Sequence, residues 1–166
     1  MRSFIICVSA ALVFLLTGPG PAHTQMFSVG NSLVNEAAHA LDRGRWDKGV
    51  SLARQALKSG ELTVVNVPAA LNNLCIGLTG QGHYDEALDT CNQAIDKRPR
   101  EWSFYNNRAN VWFHQAQYNQ ALIDYYKALT FSPGDDVLIT NISLTLRKRK
   151  ELSEAIGSQR GVERES

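Results

Sequence analysis

Apolar residues in the C-terminal part of the chain recur at helical spacing. Tyr118, Ala121, Leu122, Tyr125, Ala128 and Leu129 follow the i, i+3, i+4, i+7 order of an amphipathic helix. The same order occurs one period upstream at Tyr84, Ala87, Leu88, Cys91, Ala94 and Ile95. Each run stops at a proline, Pro99 or Pro133, which cannot extend the hydrogen-bond ladder and biases its predecessor away from helix. A further helix is predicted ahead of each run. One carries the stripe Leu71, Leu74, Cys75 and Leu78, the other the stripe Tyr105, Ala109, Trp112 and Ala116. The unit is therefore helix, short turn, helix, with Gly80 and Gly82 in one turn and the polar stretch from His114 to Gln117 in the other.

Upstream, Trp46, Gly49, Val50, Ala53, Ala56 and Leu57 form a weaker copy. Its offset from the next copy is longer, which points to an insertion within the β-branched stretch Glu61 to Val67. Downstream, Val137, Leu138, Ile139, Ile142 and Leu146 mark one more first helix, and no good second helix follows. A helix pair buries only one face by itself, so copies must stack to make a continuous core.

The repeated pairs Tyr84 and Tyr118, Ala87 and Ala121, Ala94 and Ala128, and Pro99 and Pro133, with Tyr125 in the best copy, set a period of 34 residues. On these residues the chain resembles the tetratricopeptide repeat family, in its exported bacterial form. The resemblance implies an all-α fold: an α-solenoid of about three helix-turn-helix repeats plus a C-terminal capping helix. The expected segments are a signal peptide at 1–25, a degenerate first repeat at 26–63, a linker at 64–67, and full repeats at 68–101 and 102–135. A capping helix at 136–152 and a tail at 153–166 complete them. Gly49 in place of a small alanine, Arg108 at an apolar site and the inserted linker depart from the family pattern.

The first 25 residues differ in kind. Arg2 precedes the apolar run from Phe4 to Leu16, and a helix-breaking, small-residue exit follows. This is the order of a secretory signal peptide, and the run is too short for a membrane-spanning helix, which needs about 20 apolar residues. A mature start between His23 and Met26 is expected, with export to the periplasm or the exterior and no stable membrane span afterwards. Cys7 lies inside the apolar run, poorly placed for lipid modification. The whole chain has 17 basic and 16 acidic residues, and removing the leader takes away Arg2. Such a balance gives no support to nucleic acid as a partner.

No catalytic motif accompanies the repeats. His23, His39, His83 and His114 show no metal spacing, and there is no Gly-rich phosphate loop or GxSxG. No enzymatic activity and no cofactor are expected. The informative polar feature is a row of asparagines on the first helices: Asn35, Asn73, Asn107 and Asn141 in register, thickened by Asn72, Asn106 and Asn110. Ser103 and His114 share that stripe. First helices line the concave groove in tetratricopeptide solenoids, so the resemblance implies a ladder of amides along a groove. Amides donate and accept, which suits the backbone of an extended peptide. Two roles stay open for them, tightening of neighbouring repeats and capture of an extended segment of a partner protein. Basic residues that would clamp a terminal carboxylate are missing from the row. The expected function is a protein-interaction scaffold of the cell envelope. The alternative is a structural subunit of an envelope assembly that uses its outer surface and basic tail.

Two local features remain. Arg147 to Lys150 place cations at the end of the last helix, where they complement the helix dipole or meet an anionic surface. Helix is expected to about Leu152, with a loose end after Gly157. Cys75 and Cys91 lie equally far from His83 in the turn between paired helices, on apolar stripes that face one another. They are candidates for a disulfide, or else small buried hydrophobes.

Overall fold

The structure, a computed structural model, describes residues 22–165. The signal-peptide reading falls almost wholly outside the described residues. Within them lie seven helices: α1 (Ala22–Asp42), α2 (Trp46–Lys58), α3 (Val67–Gln81), α4 (Tyr84–Lys97), α5 (Trp102–His114), α6 (Tyr118–Phe131) and α7 (Asp136–Glu165). They pair as α1/α2, α3/α4 and α5/α6, and α7 packs on α6. The chain is an all-α helical repeat solenoid. First helices α1, α3 and α5 touch in succession, whereas no two second helices approach as closely among the described residues. The first helices therefore form the inner, shorter row.

Alanine is what lets the helices close up. Ala53, Ala87, Ala94, Ala109, Ala121 and Ala128 are wholly buried at the contacts, and larger side chains fill the spaces between them. One cluster gathers Leu71, Phe104, Tyr105, Tyr125 and Leu138, and another gathers Val50, Leu74, Leu78 and Val111. Burying each large apolar side chain contributes about 1.5–3 kcal/mol against exposure. Gly49 belongs to the same logic: a Cβ there would stand 2.3 Å from Leu41 Cδ2, so the departure from alanine follows from the tight seat of Leu41.

The turns show how equivalent positions solve one problem differently. Gly82 ends α3 in the left-handed region at φ 79°. Its equivalent one period later is Ala116, a non-glycine residue with positive φ, at 57°. The helical stripe drawn through Ala116 is thus corrected: α5 ends at His114 and Ala116 belongs to the turn. A left-handed non-glycine residue costs roughly 1–2 kcal/mol, which the packed helices on either side hold in place. The linker occupies Ser59 to Asn66, tied down where the Arg98 guanidinium donates to the Val65 carbonyl.

Arg108, the other departure, is half-buried in a polar knot. Its Nε and Nη2 donate to the two Asp124 carboxylate oxygens at 2.8 and 2.7 Å, and Nη1 donates to Asn92 Oδ1 at 2.7 Å. The guanidinium also lies 5.7 Å from the Tyr105 ring centroid. Hydrogen bonding to Asp124 raises its pKa above the usual arginine value, against the pull of burial. Cys75 and Cys91 are both buried, with Cα atoms 5.3 Å apart, and their sulfurs are joined.

The last helix corrects the expected boundary at Leu152. α7 continues without a break to Glu165, so residues 153–165 are helix and not a loose tail. Lys148–Glu151 and Lys150–Glu154 pair along the surface leading into it, Glu154, Ala155, Gln159, Arg160 and Glu163 are good helix formers, and Gly157 and Gly161 cost about 1 kcal/mol each relative to alanine.

Candidate functional site

The asparagine row is a hydrogen-bonded chain between helices. Asn107 Nδ2 donates to Asn72 Oδ1 at 2.8 Å, linking α5 to α3. Asn141 Nδ2 donates to Asn106 Oδ1 at 3.0 Å, linking α7 to α5, and Asn106 Nδ2 reaches Asn107 Oδ1 at 3.3 Å. Just ahead of α3, Asn66 Nδ2 donates to Asn31 Oδ1 on α1. In the two bonds between α3, α5 and α7 the donor lies 35 residues after its acceptor, one repeat plus one residue, and the first helices are spaced so that two short amides just span the gap.

The members of the row divide by what they can still reach. Asn73 is buried, 7% exposed, and donates to the Val34 carbonyl at 2.9 Å. Its expected place on the groove is corrected: α1 and α3 close over it. Asn110 accepts the Tyr125 hydroxyl at 2.6 Å, so its oxygen serves the joint between α5 and α6. Burial pushes the Tyr125 pKa up to about 12, against a lowering contribution from Thr145, and the phenol remains a donor at neutral pH. Ser103 donates to Glu101 Oε1 at 3.0 Å near the start of α5. Asn72, Asn106, Asn107 and Asn141 are half-buried, with one face in the row, and Asn35 is exposed at the other end.

Asn107, Asn110 and His114 come together with residues the sequence reading did not select. They line a groove of about 540 Å³ with Trp46, Ile76, Thr79, Gln81 and Tyr84. The Tyr84 and His114 rings stack with centroids 6.2 Å apart and planes 9° apart. Opposite them Trp46, 37% exposed, lies against α3 at Gly80. A Cβ on Gly80 would stand 2.4 Å from Trp46 Cδ2, so glycine there is what seats the indole. The signal for this wall was present, since Trp46 and Tyr84 occupy equivalent starts of second helices. Among the residues lining the groove none is Lys or Arg. Its chemistry is aromatic faces plus amides. Among the described residues no three His, Cys, Asp or Glu side chains gather to hold a metal ion, and no helix is long and apolar enough to cross a membrane.

The geometry has counterparts among known proteins. Residues 78–136 match the family described as tetratricopeptide repeat. The rice protein "DnaJ protein P58IPK homolog A" is 28% identical over 92 residues, 55% of this chain and 19% of that protein. The chain thus spans about a fifth of that curated relative. Among solved structures, the TPR domain of P58(IPK) superposes with a TM-score of 0.69 at 18% identity, over 78% of this chain and 36% of that one. The first TPR domain of Spaghetti (RPAP3), bound to the HSP90 peptide SRMEEVD, gives 0.62 at 14% identity, over 72% and 92%. Residues 78–136 thus carry the tetratricopeptide repeat pattern, and these structures share the helical repeat fold.

Proposed function

We propose that this tetratricopeptide-type solenoid is a protein-interaction scaffold, holding an extended segment of a partner protein in its inner groove. The observation that carries the reading is the composite wall of Trp46, Tyr84 and His114 standing over the amides of Asn107 and Asn110. Aromatic faces take up apolar or proline side chains, and the N–H groups that the row leaves over are placed for a peptide backbone. The neighbour with HSP90 peptide SRMEEVD binds an acidic segment. The groove here carries no lysine or arginine, which favours an uncharged stretch within a chain over a terminal carboxylate.

Export is part of the proposal. Its supports are the basic start and apolar run ahead of residue 22, together with a buried cysteine pair at disulfide distance, which is at home in an oxidising compartment. The setting would then be the cell envelope or beyond it.

Capture from an envelope extract of the native host tests the groove, comparing the unmodified chain with Trp46→Ser and His114→Ala. Both changes are at exposed or part-exposed side chains and leave the asparagine row intact. Loss of the same captured protein in both variants, at unchanged thermal stability, supports the reading. Equal capture by all three chains contradicts it. Amino-terminal sequencing of the native protein decides the export claim: a start between His23 and Met26 is expected, and an intact Met1 would refute it.

A further inference from the structure

Each of the first three first helices is covered by its own second helix, and among the described residues none covers α7. On α5 the stripe Trp102, Tyr105, Ala109, Trp112 is sealed by α6, which leaves Tyr105 and Ala109 buried. One period later the stripe reads Asp136, Ile139, Ser143, Leu146 and Lys150 on α7. Ile139 is 46% exposed and Leu146 37%. That α7 sits as a fourth first helix is shown by its side-chain bonds: Arg149 donates to Asn119 of α6 as Gln81 of α3 donates to Asp47 of α2.

The neighbouring edge of α6 has changed to match. Arg54 on α2 reaches the next second helix through Glu86 at 2.6 Å. Its equivalent on α6 is Tyr126, 49% exposed, with Ile123 beside it at 62% where the earlier repeats carry Ser51 and Asp89. An apolar slot therefore lies open where a further second helix would stack. Because α7 runs straight on to Glu165, its own continuation does not fold back over the slot.

We propose that this slot binds an amphipathic helix of a partner protein, one with acidic residues in its first turn, which docks antiparallel to α7 as α4 does to α3. Charge selects that occupant. Lys150 and the adjacent Arg147 stand at the end where the incoming amino terminus would lie, and Asp136 stands at the other. Helix starts favour acidic and helix ends basic residues, so the slot's charges and the incoming helix's own preferences agree. A second copy of this chain docked antiparallel through α7 would also match Asp136 to Lys150, but it would bring only Ile139, Ser143 and Leu146 to the slot, far less apolar surface than a second helix such as α4, and sedimentation separates that outcome.

The probe is a side-chain-cross-linked helical peptide of residues 83–98 carrying Cys91→Ala, whose first turn contains Asp85 and Glu86 and whose last contains Lys97. Titrated into the full chain and followed by NMR, it should shift Tyr126, Ile139, Ser143 and Leu146. Leu146→Asp should abolish those shifts, and Lys150→Glu should weaken binding roughly tenfold at low salt, with less difference at high salt. The matching peptide of residues 117–132, which has no acid in its first turn, should bind more weakly. No binding, binding indifferent to both substitutions, shifts confined to the Trp46–His114 groove, or a dimer that covers the slot by sedimentation would each overturn the proposal.

Discussion

The two rows of helices are fastened by different chemistry. Along the inner row, where first helices touch, short neutral amides bridge the gap: Asn107 to Asn72 and Asn141 to Asn106. Along the outer row the helices diverge, and the bridge between second helices is long and charged, Arg54 to Glu86, while Arg108 of α5 reaches outward in a fork to Asp124 of α6 and Asn92 of α4. Spacing dictates both choices. Two asparagines are just long enough for the inner gap, and the outer one needs an arginine. The consequence is that these charged bridges lie away from the groove, whose lining carries no lysine or arginine; the proposed preference for an uncharged segment rests on that.

The largest effect is expected where the outer chemistry is least exposed. Asp124 is buried against Arg108, so Arg108→Ala should cost about 3–5 kcal/mol in denaturant unfolding, the usual range for stranding one partner of a buried pair. Replacing both at once with Arg108→Met and Asp124→Leu should recover most of that loss. If the single change costs no more than a surface mutation, the knot is not what joins α5 to α6.

Next comes the joint between α5 and α6, read through pH. Tyr125 has its pKa raised to about 12 from 10 by burial, so the folded state holds the phenol proton more tightly than the unfolded chain. That stability is fully present below about pH 10 and is lost as pH rises through about 12. Tyr125→Phe, which also drops the bond to Asn110, should flatten the alkaline limb of the stability profile. An unchanged limb would mean that another group controls it.

The smallest effects distinguish the rows directly. Asn107→Ala removes a half-buried inner bond and should cost about 1 kcal/mol. Arg54→Ala removes a pair whose side chains are 53% and 48% exposed, and should cost no more than about 0.5 kcal/mol, vanishing in high salt. Equal costs, or a salt-dependent Asn107 effect, would erase the contrast between inner and outer fastening.

Helix placement was legible because it depends on local spacing: Tyr84, Ala87, Leu88 and their copies thirty-four residues on state the repeat outright. The site was legible only in part. Asparagines at period spacing revealed a row, but whether an amide faces a neighbour or a ligand depends on an interhelical distance that no single strand of sequence contains. Asn73 shows this, since the approach of α1 turns it inward to Val34. Trp46 was read as a core position because its role depends on Gly80 in the next repeat, which leaves room for the ring. The continuation of α7 past Leu152 was missed for a further reason: its exposed surface leaves no strong apolar period, so helix propensity and surface pairs decide it.

The neutral groove is the centre of this account, and binding at defined charge tests it most directly. The captured partner's segment should be compared as an internal peptide with capped ends and as the same peptide ending in a free acidic carboxylate, by titration against the full chain and against Trp46→Ser. The account predicts that the capped peptide binds at least as tightly as the acidic one, with little salt dependence and with loss in Trp46→Ser. Tighter, salt-sensitive binding of the acidic terminus, unaffected by Trp46→Ser, would contradict it.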